Sequence, residues 1–209
     1  MPLVTVFTAD VIDSRRHGEV AGFLTTRLAD LTHPVLLTPF TVSRGDEFQG
    51  LCRGSLRAPE IVRLLRYRCR PLSFRLGIGI GEGPATEASS SWGLNGEAFF
   101  RAREALERTK KKTTLLTAVV SGDERLDAVA EGIFVLLDAV WTRWTKEQWE
   151  AVLAYERYGT YEAAGQVLGI AFQNVAKRCR AARWPAVRVA ETALRRLGEL
   201  MACSSPEQG

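Results

Sequence analysis

Leu3-Val4-Thr5-Val6-Phe7-Thr8-Ala9-Asp10 and, further on, Phe40-Thr41-Val42-Ser43-Arg44-Gly45-Asp46-Glu47-Phe48-Gln49-Gly50-Leu51-Cys52 decide how this chain folds. The first stretch is nearly continuous apolar and β-branched residues stopping at Asp10, the pattern of a buried strand. In the second, Phe40 and Val42 alternate with polar neighbours before Arg44–Glu47, and extended character resumes at Phe48, which predicts a β-hairpin with its tip near Asp46. Between the two, Val20, Phe23, Leu24, Leu28 and Leu31 keep the helical period until Pro34 closes that element.

Further along, Pro59 can occupy the first turn of a helix through Ile61, Val62, Leu64 and Leu65 to about Arg70. Residues 73–81 read as a strand with Phe74, Leu76, Ile78 and Ile80 on one face and Gly77, Gly79 and Gly81 on the other. Interior glycines weaken a strand, so this one implies close approach of either a packed helix or a ligand. Residues 82–94 read as a loop, 96–110 as a helix and 115–120 as a strand. The order β-α-β-β-α-β-α-β is a split β-α-β core with one further α-β, a ferredoxin-like, palm-type domain of the α+β class.

In that topology the first strand lies beside the hairpin, so Asp10 and Asp46 are expected to face one another across neighbouring strand ends. Two carboxylates that close repel unless a proton or cation lies between them. Mg²⁺, which takes one or two carboxylates together with water and phosphate oxygens, is the expected cofactor. Read singly, each aspartate is also a common cap or turn residue. The run Lys110, Lys111 and Lys112 ends a helix and reads as a solvated face that suits the helix dipole, or else as a phosphate contact.

Past Gly122 the helical period returns in Leu126, Val129, Ile133, Leu136, Leu137 and Val140. Trp141, Trp144 and Trp149 follow and are expected as a core joining a second module to the first. Thr145 can cap one helix, Thr160 a second over 161–168, and after a turn at Gly169 a third runs from Ala171 to Arg183. This is the spacing of a helix-turn-helix that reads DNA. The predicted domains are residues 1–122, a helical linker 123–144, an all-α helix-turn-helix domain 145–203, and a tail 204–209 without regular structure. Val187, Ala190, Leu194, Leu197 and Met201 form an apolar stripe that either supports a homodimer or caps the bundle.

Charge divides along the same line. Residues 1–140 hold 18 Lys/Arg against 17 Asp/Glu, whereas residues 141–200 hold 10 against 6. The basic excess is C-terminal and points to a polyanionic partner for that module. In the predicted second helix of the motif, Gln173 and Asn174 come early enough to face base edges, and both can pair bidentately with adenine. Lys177, Arg178 and Arg180 follow as phosphate contacts. A protein-protein adaptor is the other use of such a module. No apolar run reaches the roughly 18–20 residues of a membrane span and the N-terminus has no signal-peptide pattern, so a cytoplasmic protein is expected. Cys52, Cys69, Cys179 and Cys203 are scattered without zinc spacing and read as reduced thiols.

The blocks Ala9-Asp10-Val11-Ile12-Asp13-Ser14-Arg15, Gly45-Asp46-Glu47-Phe48-Gln49-Gly50, Arg75-Leu76-Gly77-Ile78-Gly79-Ile80-Gly81, Gly96-Glu97-Ala98 and Ala102-Arg103 together resemble the SatD family over essentially the whole chain. More distantly they are similar to class III nucleotidyl cyclases and GGDEF diguanylate cyclases. That second resemblance implies two metal ions held by Asp10 and Asp46 with the Val11 carbonyl, and phosphates near Ser14, Arg15 and Gly45. Arg103 matches the arginine of the cyclase Asn-x-x-x-Arg helix, but Phe99 stands in place of its asparagine, and Arg44 replaces the first glycine of GGDEF. Residues 145–200 resemble region-4 domains of sigma factors. The resulting expectation is a DNA-binding regulator with a nucleotide- and Mg²⁺-binding cyclase-like sensor domain. The alternative is a nucleotidyl cyclase or nucleotidyltransferase whose C-terminal module serves localisation or dimerisation.

Overall fold

A computed structural model describes residues 1–43, 45–112 and 114–204, apart from the side chain of Ser204. In chain order the elements are β1 (Leu3–Val11), α1 (Val20–Leu28), β2 (Leu36–Val42), β3 (Glu47–Arg53), α2 (Glu60–Arg68), β4 (Phe74–Glu82), α3 (Glu97–Lys111), β5 (Thr117–Val120), α4 (Glu124–Trp141), α5 (Lys146–Tyr158), α6 (Tyr161–Leu168), α7 (Phe172–Ala181) and α8 (Trp184–Ser204). The protein is α+β. Its five strands form one mixed sheet in the order β2-β3-β1-β4-β5, in which β1 is antiparallel to both β3 and β4, and β5 runs parallel to β4. Of the tail predicted for 204–209, Ser204 ends α8 and the rest lies outside the described residues.

The alternation of β4 assigns the two faces of the sheet. Its glycines face α3 so closely that a Cβ on Gly77 would lie 2.1 Å from the Ala102 carbonyl oxygen, and one on Gly79 2.1 Å from the Ala98 oxygen and the Ala102 nitrogen. The choice between helix and ligand for this glycine stripe is therefore decided for the helix. Ala98, Ala102 and Leu106 come round every four residues to meet Gly81, Gly79 and Gly77, and Val4, Val6 and Leu51 continue this buried layer on β1 and β3.

On the opposite face Phe7, Phe40, Phe48 and Phe74 make a chain of tilted and edge-on ring contacts with centroids 5.1–6.4 Å apart. Such pairs contribute about 0.5–1.5 kcal/mol each beyond the area they bury. Helix α2 covers this side, and its buried Arg66 lies 4.1 Å over the Phe74 ring. The same guanidinium donates to the Phe74 carbonyl and to Thr117 Oγ1, the latter at 2.9 Å, so one side chain ties β4 to β5.

The chain forms two compact units, Leu136–Thr192 and a larger one comprising Met1–Val135 and the chain from Ala193. In the larger unit the last turns of α8 lie on the loop before α2. Arg195 donates to Glu60 at 2.9 Å and to the Arg57 carbonyl at 3.1 Å, and a Cβ on Gly198 would lie 2.3 Å from the Ser55 carbonyl oxygen. Leu194 and Met201, from the apolar stripe of α8, are buried within the chain. In the smaller unit α5, α6 and α7 pack on one another. Thr145 and Gln148 form a capping box at the start of α5, and Thr160 caps α6 by accepting from the Ala163 amide at 3.1 Å. Each such cap stabilises by about 1 kcal/mol. Trp144 and Trp149 meet edge-to-face at 4.5 Å, and Trp144 Nε1 donates to the Ala182 carbonyl at 2.8 Å, so both rings belong to this unit's own interior.

Candidate functional site

β1 ends where the sheet's apolar layer gives way to polar residues. On the face turned to α3 the sequence Val4, Val6, Thr8, Asp10 passes from buried aliphatics to a buried hydrogen bond, Gln49 Nε2 donating to Thr8 Oγ1 at 2.9 Å, and then to a carboxylate. Asp10 pairs across the sheet with Glu47 on β3 and with Arg75 on β4, so these three side chains share the α3 face at the sheet end. Asp46 stands at the hairpin turn just before β3, and its carbonyl accepts from the Val11 amide at 3.3 Å. The register thus brings the two aspartates to neighbouring strand ends, close enough for the charge of Asp46 to act on Asp10.

α3 supplies the cation. One turn beyond Leu106, Lys110 places its Nζ 3.7 Å from Asp10 Oδ2 and 2.9 Å from Glu107 Oε1. Those partners hold its ammonium above the usual lysine range, the hydrogen bond it donates to Glu107 contributing most. Lys110 lies exposed in the last turn of α3, as the solvated-face reading of the lysine run expected, and it is in addition the counterion of the acidic site. The sequence carries a signal for it only once α3 is seated on the glycines of β4. The helix positions 98, 102 and 106 that track Gly81, Gly79 and Gly77 lead next to 110 and Arg75, and Glu47 falls opposite Asp10 once the hairpin is registered.

Burial raises the Asp10 carboxyl above its ordinary value, Lys110 opposes the shift and Asp46 adds to it. A raised native pKa means that ionised Asp10 destabilises the fold. The cost is absent below the unfolded value near 3.9 and grows as pH rises through the native one. Asp10→Asn is therefore expected to raise the melting temperature at pH 7 by about 2 °C. That advantage shrinks as the pH is lowered toward 4, which paired melting curves across this range will check.

The other predicted residues are spread around this end of the sheet. Val11 is the last residue of β1, with a buried side chain. Ser14 and exposed Arg15 lie on the single 3-10 turn that follows, where Asp13, in the left-handed region at φ 54°, pairs with Arg16 at 3.5 Å. Gly45, at φ 105°, precedes Asp46 in the hairpin turn. Arg103 is exposed on α3, two turns before Lys110. Asp10 and Asp46 are the side chains able to hold Mg²⁺, an ion that accepts one or two carboxylates and retains water. Among the described residues no group of three or more His, Cys, Asp and Glu side chains is placed to hold a metal ion. Bound there, the ion would neutralise the carboxylate pair and offer positions to phosphate oxygens.

In the smaller unit α6 and α7 are joined through Gly169, left-handed at φ 66°, and approach so closely that a Cβ on Gly165 would lie 2.7 Å from the Ile170 carbonyl oxygen. Val175 and Cys179 turn α7 toward the other helices, which leaves Gln173, Asn174, Lys177 and Arg180 exposed and Arg178 half-buried. Elsewhere a cleft of about 540 Å³ beside β2, lined by residues including His33, Leu36, Pro39 and Glu87, contains none of the predicted site residues. Cys52, Cys69 and Cys179 are buried free thiols, and burial pushes Cys69 up to about 12, far from a reactive thiolate. Among the described residues no helix is long and apolar enough to cross a membrane.

The fold and site define an α+β protein with a mixed five-stranded sheet and an acidic strand-end cluster. The chain belongs to the SatD family, whose model matches residues 10–181. Comparison with curated proteins gives no match. Among solved structures the chain is similar to a regulator of polyketide synthase expression from Bifidobacterium adolescentis, at 12% identity and a TM-score of 0.27, over 99% of this chain and 82% of that one. A likeness that slight carries no argument about fold or function.

Proposed function

We propose that this protein is a DNA-binding regulator whose palm-like sheet domain senses a nucleotide bound with Mg²⁺ at Asp10 and Asp46. The observation that carries the DNA reading is the exposed side of α7. Two amide side chains occupy its first turn, cations follow at Lys177, Arg178 and Arg180, and the helix contains no carboxylate. α6, the turn at Gly169 and α7 together have the form of a helix-turn-helix, in which the start of the second helix meets base edges and its later residues meet phosphates. The sensor reading is supported by the strand order β2-β3-β1-β4-β5, which suits a palm, and by the two aspartates at neighbouring strand ends.

Electrophoretic binding to mixed genomic fragments over a range of salt tests the first half. The full chain is expected to retain DNA, with log affinity falling linearly in log salt. Lys177→Ala should weaken binding about equally on all fragments and lower that slope by about 1, whereas Gln173→Ala should cost about 1–3 kcal/mol on the preferred sequence. Absence of salt-sensitive retention would leave the adaptor role in its place. A cyclase or nucleotidyltransferase reading is favoured less, because Phe99 occupies the position of the cyclase asparagine. A single module offers roughly 600–1,000 Å² to DNA, so a homodimer fits specific binding better than a monomer.

A further inference from the structure

We infer that Phe172 is a specificity residue that reads the 5-methyl group of thymine in the DNA major groove, beside adenine contacts from Gln173 and Asn174. This rests on the DNA-binding reading above and deepens it. Phe172 is the first residue of α7 and remains 45% exposed, although the next apolar positions of the helix, Val175 and Cys179, are buried. Its backbone lies in van der Waals range of α6, since a Cβ on Gly165 would lie 3.4 Å from the Phe172 nitrogen and Cα. Side chains of a helix tilt toward its N-terminus, so one on the first residue projects ahead of the helix end.

On a helix that faces DNA, such a ring suits an apolar feature of the base edges. The surroundings on α7 fit such a partner: two exposed amides, then three cations, and no carboxylate to repel phosphate. In the major groove the thymine methyl is the apolar feature, and phenylalanine is among the side chains that contact it. The neighbouring amides suit adenine, so Phe172, Gln173 and Asn174 together select A·T steps over G·C.

The test removes only the methyl. The full chain is used to enrich duplexes from a random-sequence library, and the enriched duplex is remade with deoxyuridine at each thymine in turn. At one or two positions the substitution should weaken wild-type binding about fourfold, the weight of one buried carbon. Phe172→Ala should bind thymine and uracil duplexes alike, while Phe172→Leu should keep part of the difference and show that the helix is intact. If duplexes are enriched but uracil is neutral for the wild type, or Phe172→Ala stays equally sensitive, the inference falls and the DNA reading stands. If nothing is enriched and no salt-sensitive binding occurs, both fall together.

Discussion

Gly79→Ala is expected to destabilise the protein by about 3 kcal/mol and lower its melting temperature by roughly 10 °C. The new Cβ would sit 2.1 Å from both the Ala102 nitrogen and the Ala98 oxygen. Both are backbone atoms of α3, so no side chain can rotate aside and the helix itself must lift. Lifting α3 also moves Lys110 away from Asp10, so the variant should lose the acidic site's counterion together with its stability. Denaturant melts of wild type and variant measure the loss. A cost under about 1 kcal/mol would mean that α3 is not seated on β4 as described.

The second large effect belongs to the acidic pair. With ATP or GTP present at about 100 times its dissociation constant, together with Mg²⁺, binding to the native state alone should stabilise the wild type by about 2.7 kcal/mol. Asp46→Ala should lose that gain, as should the wild type with the metal chelated. Thermal shift on the three samples decides the matter, because an equal response of wild type and Asp46→Ala excludes this pair as the nucleotide site. Lys110 belongs to the same expectation, since a metal approaching Asp10 competes with an ammonium already 3.7 Å away.

The strands were legible because their patterns are local. Leu3–Ala9 had to be buried and residues 40–52 had to turn near Asp46, and from these the neighbouring of Asp10 and Asp46 followed. The α+β class and the caps at Thr145 and Thr160 were legible for the same reason, since capping needs only residues adjacent in sequence. Lys110 was not legible as a partner of Asp10, because that contact depends on how far α3 slides along β4. The glycine stripe sets that position, and until the helix was known to fill it, a ligand explained Gly77 and Gly79 as well. Arg66 was invisible for another reason. Arginines in an amphipathic helix read as surface, whereas here Arg66 is buried against strands that only the sheet order makes neighbours. Phe172 carries no such sequence signal, because an apolar residue at a helix start ordinarily joins the core.

Arg195 and Gly198 on the loop before α2 mean that the larger unit is discontinuous along the chain, with Leu136–Thr192 set between its two pieces. The smaller unit is in that sense an insertion anchored at both ends, rather than a pendant on a linker. A fragment stopped at Val135 would omit Arg195, the guanidinium that donates to Glu60, and the buried Leu194 and Met201. Separating the two units by dissection therefore calls for excising 136–192 and rejoining the flanks, since truncation at either border divides one fold.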